Sequence, residues 1–299
     1  MRAPDFFIVG APKCGTTAMG EYLKQHPEIF LPERKEINFF GSDLRFSFPR
    51  VTREQYLAYF ATATQEKRLG EAAVWYLYSQ QAAAEIKNFC SSSQIVIMLR
   101  NPIDVMYALY HQRLYNGNED IEDFTTALAA EEDRKRGSRL PKRATNVMGC
   151  FYRDNVKFTP QVQRYLEVFG RENVHIIIFD DLKNGMARVY RDCCAFLGVA
   201  RNFQADFHVI NPRKRVRSTL LRDLLHQPPP AVGWLWRALG LRLTHRGGYN
   251  GWLKRLNTTQ ANIPPMEPQL RRQLQEEFLP EVEQLSRLLD RDLTHWCTS

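Results

Sequence analysis

The stretch that decides the fold is DFFIVGAPKCGTT, residues 5–17, in which a short apolar run leads into a loop of small residues. Asp5–Val9 is apolar after its first residue, as buried parallel strands are. Gly10–Thr17 forms the loop, and Ala18–Gln25 places its apolar residues on one helical face. Backbone N–H groups at such a helix N-terminus bind phosphate-like anions. The stretch therefore predicts an anion-binding loop; a glycine turn without a ligand is the alternative.

Further apolar runs of strand length follow along the chain. The clearest are Gln94–Arg100 and Val174–Phe179, and shorter extended stretches lie near residues 30 and 72. Together with the first run they make about five strands, and helical patterns separate them. Such alternation is typical of an α/β fold with a parallel sheet flanked by helices. We expect a single domain over residues 1–299.

Helical periodicity and helix-ending residues predict the layers that cover this sheet. Ser79 is expected to cap the first of these later helices, and Pro160 is expected to break or kink the fourth. The expected helices are Gln80–Phe89, Pro102 to about His111, Thr125–Lys135, Tyr152–Phe169, Ala187–Leu197 and a final helix over residues 267–290.

Composition excludes several classes of protein. The 299 residues are 44% hydrophobic and include 18 Phe, 12 Tyr and 5 Trp, which is too much core-forming material for a disordered chain. No apolar run approaches the roughly 18 residues of a membrane-spanning helix, and no secretory signal pattern is present. Six dispersed cysteines without metal-site spacing indicate reduced thiols. We therefore expect a cytoplasmic protein without an integral membrane segment.

The positive charge is concentrated in one segment. Residues 200–256 hold eleven Lys and Arg against two Asp, so this segment is more basic than the whole chain, whose net charge is +8. We expect residues 200–265 to form a basic lid that attracts phosphate or sulfate; a solvated basic face is the alternative. Aromatic residues interleave with these arginines and provide either an acceptor wall or packing for the lid. They are Trp234, Trp236, Tyr249 and Trp252.

The loop has the glycine spacing of a Walker A motif, but its lysine is misplaced for an ATPase. Lys13 stands two residues before Gly15 instead of directly after it. Pro-Lys-x-Gly-Thr-Thr resembles the 5′-phosphosulfate loop of the sulfotransferases, which use 3′-phosphoadenosine 5′-phosphosulfate (PAPS). A second family motif resembles residues 97–104, where a strand ends in Arg100 before an Asn-Pro turn. The resemblance implies that Arg100 holds the 3′-phosphate. It also implies that the 5′-phosphosulfate end of the cofactor is bound by Lys13, Cys14, Gly15, Thr16 and Thr17.

Two other segments also resemble sulfotransferases, and the spacing is most similar to bacterial relatives of the heparan-sulfate sulfotransferase group. Residues 32–40 are similar to its Glu-x-His-Phe-Phe segment, in which the glutamate is the proposed general base, and this implies that role for Glu36. The basic run 213–218 resembles the loop that closes over the nucleotide and implies cofactor contacts for Lys214 and Arg215. The chain departs from the family at several positions, where it lacks a phosphate-binding serine, an arginine, a histidine and a lysine. These departures are Ala108, Val105, Asn38 and Ala72.

The resemblance implies an enzyme that transfers a sulfuryl group from PAPS to a hydroxyl or amine, without a metal. A carbohydrate or glycan is the favoured acceptor, and Lys13 and Glu36 are the catalytic residues. Glu71 and then His111 are the next candidates for the base. The residues expected to edge the cleft are Arg113, Asn116, Asn118, Glu119 and Asp120. We expect no nucleic-acid partner, and the oligomeric state stays open.

Three other functions compete with this one. A P-loop nucleotide kinase would need an acidic residue at the end of strand Gln94–Arg100, where Arg100 stands instead. A protein that binds PAPS or 3′,5′-ADP without transfer is suggested by Ala108. A nucleic-acid binder would use the basic segment, which has no recognised reading motif.

Overall fold

The computed structural model describes residues 2–208 and 263–298, together with the backbone of 214–216 and 258–260. Five strands form one sheet in the order β2-β3-β1-β4-β5, and every neighbouring pair is parallel. This confirms the predicted α/β fold. The strands are β1 Phe6–Gly10, β2 Ile29–Phe30, β3 Arg68–Ala72, β4 Gln94–Leu99 and β5 Val174–Ile178.

Helices cover both faces of this sheet. Every residue of β1 and the last five of β4 are buried, and successive strand residues point to opposite faces. Helix α1 packs against β1, β3 and α9, whereas α8 packs against β4, β5, α3 and α10. The helices are α1 Thr16–Leu23, α2 Arg53–Ala58, α3 Ala82–Phe89, α4 Pro102–Asn116, α5 Phe124–Ala129, α6 Glu131–Lys135, α7 Tyr152–Asn155, α8 Phe158–Phe169, α9 Phe179–Phe196 and α10 Pro268–Leu289.

Strand β1 lies at the centre of the sheet, and the chain changes direction there. It runs from β1 to β2 and β3 on one side, then returns to β4 and β5 on the other. Ile8 of β1 lies opposite Ala72 of β3 and Val96 of β4. Ligands of open α/β sheets bind outside the carboxyl ends of the strands at such a reversal. The topology therefore places the loop after β1 in the position of a ligand site.

Two of the predicted helices are wrong as single helices. The expected helix Tyr152–Phe169 consists of α7 and α8, and the break lies at Val156 and Lys157, before Pro160. Pro160 stands in the first turn of α8, where its missing N–H removes no intrahelical hydrogen bond. Thr125–Lys135 is likewise divided into α5 and α6 around Ala130.

Other helix bounds differ more modestly. Helix α4 continues to Asn116, and α9 begins at Phe179 and contains a non-helical Gly185. Gln81, not Ser79, is the N-cap of α3, but Ser79 Oγ, two residues earlier, accepts hydrogen bonds from the amides of Gln81 and Ala82 at 3.1 and 2.9 Å. Sequence periodicity therefore found the helices, while their ends depended on tertiary contacts.

Four short pieces of the expected basic lid fall within the described residues: 200–208, 214–216, 258–260 and 263–265, the middle two as backbone only. Lys214–Val216 forms β6, and Thr258–Gln260 forms β7, an antiparallel pair in which Lys214 lies opposite Gln260. The backbone of β6 lies against α4. The four aromatic residues predicted to form a wall lie outside the described residues. The single-domain arrangement over 1–299 stays a prediction.

Candidate functional site

Two glycines give the loop after β1 its shape. Gly10 has φ +155°, and a Cβ added there would lie 2.6 Å from Leu77 Cβ, so only glycine fits. Gly15 has φ +91° and directly precedes α1. These are backbone conformations that side chains with a Cβ rarely adopt. The loop therefore turns sharply from the centre of the sheet into the first turn of α1.

The first turn of α1 presents backbone donors at the end of the loop. The Met19 amide donates to the Gly15 carbonyl at 3.1 Å, the start of the intrahelical series. The amides of residues 15–18 precede that series, and an α-helix leaves its first four N–H groups without partners inside the helix. Thr16 is buried and Thr17 is half-buried in the same turn. The helix dipole and these donors together favour an anion here.

Cys14 lies inside the loop and is not a reactive thiol. Its side chain is fully buried, its Sγ lies 3.5 Å from the Pro12 carbonyl, and its amide donates to Ala11 O at 3.4 Å. Burial raises the pKa of this thiol to about 12, despite the opposing charges of Arg100 and Lys13. The side chain therefore fills the interior of the loop.

Arg100, at the end of β4, reaches the same loop. Its Nη1 lies 3.5 Å from the Lys13 carbonyl, and its guanidinium lies 4.8 Å from the centre of the Phe179 ring. Its Nη2 lies 3.3 Å from Asp104 Oδ2 on α4. Its buried Nε has no hydrogen-bond partner among the described residues. The structure thus brings the two sequence motifs together, with the Arg100 guanidinium beside the loop.

The segment that contains Glu36 lies beside the carboxyl end of β3. The Glu36 amide donates to Ala72 O at 3.0 Å, and its φ of +53° turns the chain at this point. Glu36 is an exposed residue, and desolvation by the surrounding protein raises the pKa of its carboxyl, an effect that Lys35 partly offsets. Since β3 pairs with β1, Glu36 and the anion loop share one edge of the sheet.

A buried carboxylate, that of Glu71, anchors this segment. The sequence pointed to Glu71 only as an alternative base and did not predict this structural role. Glu71 on β3 accepts hydrogen bonds from Tyr56 at 2.6 Å and from Tyr76 at 2.8 Å. The Tyr76 hydroxyl in turn accepts from the amides of Phe39 and Phe40 at 3.0 and 3.3 Å. Burial raises the Glu71 pKa to about 7. Hydrogen bonds through Tyr76 and Glu71 therefore connect the loop that carries Glu36 to β3.

The two alternative bases are poorly placed for proton abstraction. Glu71 is 1% exposed, and the two tyrosine hydroxyls occupy its oxygens. His111 packs edge-on between Tyr107 and Tyr110, with ring centroids 4.4 and 5.0 Å away. Their surroundings are those of structural side chains.

Two charged residues expected at the rim of the cleft are buried. Glu119 forms a fully buried ion pair with Arg134 at 2.7 Å and accepts a hydrogen bond from Tyr152 at 2.6 Å. Arg113 is also buried and donates to the Asn146 side chain at 3.0 Å. The prediction that these two edge the cleft is wrong, because each is part of an internal polar network.

A cavity of about 620 Å³ adjoins the segment that follows the Glu36 loop. Lys13, Glu36 and Arg100 do not line it. Its walls combine aromatic and hydrogen-bonding side chains with cationic ones, and among them are Tyr78, Gln80, Phe151, Arg45, Lys157 and Arg164. A polar ligand with flat faces matches such a lining.

Within the part of the chain that the structure describes, no helix is long and apolar enough to cross a bilayer. The same residues contain no cluster of three or more histidine, cysteine, aspartate or glutamate side chains suited to a metal ion.

Comparison with known proteins identifies the family. A family model described as the sulfotransferase domain matches residues 3–215. The chain belongs to the sulfotransferase family. A crystal structure of a sulfotransferase from Alicyclobacillus acidocaldarius is 31% identical, with a TM-score of 0.74 and coverage of 99% of both chains. The predicted family and the sulfotransferase fold are therefore confirmed.

Curated sulfotransferase relatives are more distant and longer. The mouse bifunctional heparan sulfate N-deacetylase/N-sulfotransferase 4 is 27% identical over 213 residues, which are 67% of this chain and 23% of the relative. Mouse carbohydrate sulfotransferase 15 is 27% identical over 166 residues, 40% of this chain and 29% of the relative. The sulfotransferase chain thus spans about a quarter of the length of these relatives.

Proposed function

We propose that this sulfotransferase transfers a sulfuryl group from PAPS to a hydroxyl or amine acceptor and releases 3′,5′-ADP. The observation that carries the proposal is the contact between its two anion-binding elements, Arg100 and the loop of Lys13, at the N-terminus of α1. One element offers amide donors for a phosphate at a helix N-terminus, and the other places the positively charged guanidinium of Arg100 beside it. A nucleotide with phosphates at both its 5′ and 3′ positions matches this pair.

The residues of the chain would mainly position groups and stabilise charge, as in phosphoryl transfer. PAPS supplies the activated sulfuryl group. The amides of Gly15, Thr16 and Thr17 would hold the 5′-phosphate, and Lys13 would neutralise the charge that grows on its oxygen as the sulfuryl group leaves. Arg100 would hold the 3′-phosphate through its planar fork.

Glu36 would act as the general base in this reaction. Its carboxylate would accept the proton of the acceptor hydroxyl or amine while the acceptor atom bonds to sulfur. An exposed carboxylate with a raised pKa suits the role, because a stronger base is still open to the acceptor. Lys214 and Arg215 would add charge over the nucleotide, and the position of the β6 backbone against α4 supports their inclusion.

A carbohydrate or glycan is the acceptor class that we favour. The names of the curated relatives refer to heparan sulfate and carbohydrate, and the cavity beyond the Glu36 segment has the aromatic and hydrogen-bonding lining that sugars use. We expect no nucleic-acid partner, and the cytoplasmic location stays an expectation from the sequence.

Two alternatives make different predictions. A nucleotide kinase would require magnesium, whereas sulfuryl transfer carries less charge and needs no metal. A binding protein without transfer activity, suggested by Ala108, would bind 3′,5′-ADP but give no turnover. Incubation with radiolabelled PAPS and panels of sugar, phenol, lipid and peptide acceptors, with and without EDTA, separates these cases. We expect labelled product from a sugar acceptor in both conditions; binding without any labelled product would contradict transfer.

A further inference from the structure

We propose that Arg271 on α10 is a positioning residue for the 3′-phosphate site, acting through Asp104 on Arg100. This inference rests on the proposed function. Arg271 neutralises the carboxylate that orients Arg100, so the positive charge of Arg100 stays available for the 3′-phosphate.

The three side chains form a continuous ion-paired row. Arg271 donates from both Nη1 and Nη2 to Asp104 Oδ1 at 3.1 Å, and Arg100 Nη2 lies 3.3 Å from the other oxygen, Oδ2. Side-chain exposure increases along the row, from 15% for Arg100 through 30% for Asp104 to 38% for Arg271. Arg100 is thus the inner member, and its carboxylate partner is shared with a cation from the last helix.

The charges explain why the outer cation matters. A lone Arg100–Asp104 pair is neutral, and the carboxylate would repel a phosphate that approaches the guanidinium. With Arg271 the row carries one net positive charge, while Asp104 still fixes the direction of Arg100. Charges a few ångströms apart in a partly buried site are only partly screened by solvent. The cation on α10 therefore influences a phosphate that it need not touch.

Two further contacts fix α10 in place for this role. The Tyr107 hydroxyl on α4 donates to Pro264 O at 3.1 Å, just before α10 begins. Asn101 Nδ2 donates to Trp296 O at 2.8 Å, after α10 has ended. The segments on both sides of α10 are therefore tied to α4, which carries Asp104, and to its cap Asn101, the residue that follows Arg100. Arg271 is held in register by contacts that do not involve its own side chain.

Calorimetric titration with 3′,5′-ADP and with 5′-AMP tests this role. The useful quantity is the dissociation constant of 5′-AMP divided by that of 3′,5′-ADP, since only 3′,5′-ADP carries the 3′-phosphate. This ratio measures the preference for the 3′-phosphate. Arg271→Gln should reduce that ratio about tenfold, which corresponds to about 1.4 kcal/mol, and leave 5′-AMP binding nearly unchanged. Arg272→Gln is the matched control, because the neighbouring arginine is exposed and forms no ion pair with Asp104. It should leave the ratio as in the unmodified protein.

The double variant Asp104→Asn, Arg271→Gln distinguishes the proposed route from direct contact. It restores the net charge of the row, and the asparagine oxygen can still accept from Arg100. We expect this double variant to regain most of the preference for 3′,5′-ADP over 5′-AMP that Arg271→Gln loses. Failure to recover would mean that Arg271 binds the phosphate itself and would overturn the route through Asp104. An equal loss in Arg272→Gln, or no loss in Arg271→Gln, would also overturn the proposal.

Folding and the underlying function are checked separately. Arg271→Lys keeps the charge and should keep the ratio within about twofold, so a fold defect in Arg271→Gln does not remove the test. If the unmodified protein itself shows no preference for 3′,5′-ADP over 5′-AMP, the proposed function fails. If it shows the preference and Arg271→Lys loses as much of it as Arg271→Gln, only the present inference fails.

Discussion

At the scale of single residues, Lys13 is the test of transition-state stabilisation. It stands in the loop with φ +65°, directly before the buried Cys14. Lys13→Ala should lower turnover by about 10²–10³, as expected when a donor to developing charge is removed. Affinity for 3′,5′-ADP should fall much less, because the charge in question grows only during transfer. Steady-state kinetics and calorimetry measure the two effects, and equal losses would make Lys13 an ordinary phosphate ligand.

Glu36 makes a prediction about both rate and pH. Glu36→Gln should lower kcat by about 10²–10⁴ and leave nucleotide affinity unchanged, as for a lost general base. Because burial raises the Glu36 pKa, the rate of the unmodified enzyme should fall with decreasing pH already above the ordinary carboxylate range. The variant should lack this acidic limb.

Glu33 provides the control for that experiment. It is an exposed glutamate of the same segment and pairs with Lys24 at 3.4 Å. Glu33→Gln should retain both the rate and the acidic limb. A pH profile that is unchanged in Glu36→Gln would show that another group takes the proton.

The catalytic candidates were accessible from sequence because they lie next to strand ends. Lys13 lies in the loop after β1, Arg100 directly follows β4, and a short motif marks each. The partners of Arg100 were not accessible. Phe179 and Arg271 are separated from it by long stretches of chain, and no local pattern links them.

At the scale of secondary-structure elements, the loop of Glu36 depends on the hydroxyl of Tyr76. Tyr76→Phe removes the acceptor of two loop amides and one donor to Glu71. A buried group left without its partner costs about 1–3 kcal/mol, so the free energy of unfolding should fall by that amount. We also expect kcat to fall while 3′,5′-ADP affinity is retained, since only the base is displaced.

Tyr165→Phe is the matched control for this variant. It removes another buried hydroxyl, which donates to Tyr76 O at 2.8 Å and does not touch the loop. It should lower stability and leave kcat nearly unchanged. Equal effects of both variants on kcat would contradict a specific role for the Tyr76 hydroxyl. Chemical denaturation and steady-state kinetics provide the measurements.

The buried Glu71 predicts a pH dependence of stability. Its pKa is about 7 in the folded protein, above the ordinary carboxyl value, so the folded state binds the extra proton between about pH 4.5 and 7. The stabilisation that comes from the protonation of Glu71 is therefore largest at low pH and is lost as the pH rises through that window. Glu71→Gln cannot ionise and serves as the reference. Relative to it, the free energy of unfolding of the unmodified protein should fall by about 2–4 kcal/mol as the pH rises through this window. Urea unfolding at several pH values measures the difference, and a constant difference would mean that Glu71 does not change protonation.

Strands and helices were predicted correctly where a local sequence pattern alone determines them. The strands were found because continuous apolar runs of five or six residues suit a sheet that is covered on both faces. The break between α7 and α8 was misplaced, since proline in a first turn does not break a helix. The hydrogen-bonded group around Glu71 joins α2, β3, the Glu36 loop and the segment after β3, and no periodicity shows it.

At the scale of the whole molecule, the parallel sheet explains why distant motifs form one site. The order β3-β1-β4 places the ends of three adjacent strands side by side, and each is followed by or lies beside a candidate residue. Helix α10 then connects the end of the chain to α4 through Arg271 and Asp104. The sequence predicted the parallel sheet because strands that alternate with helices are typical of it. It did not predict the contacts between α10 and α4, because Arg271 and Asp104 are far apart in the sequence and no local pattern links them.

The most direct test of the central claim is calorimetric titration of the unmodified protein and Arg100→Ala with 3′,5′-ADP and 5′-AMP. We predict that the unmodified protein prefers 3′,5′-ADP and that Arg100→Ala loses about 10–100-fold of affinity for it, the value of a hydrogen bond to a charged group. Affinity for 5′-AMP should change little, because the loop before α1 is intact. An equal loss for both nucleotides, or no preference in the unmodified protein, would contradict a 3′-phosphate site at Arg100.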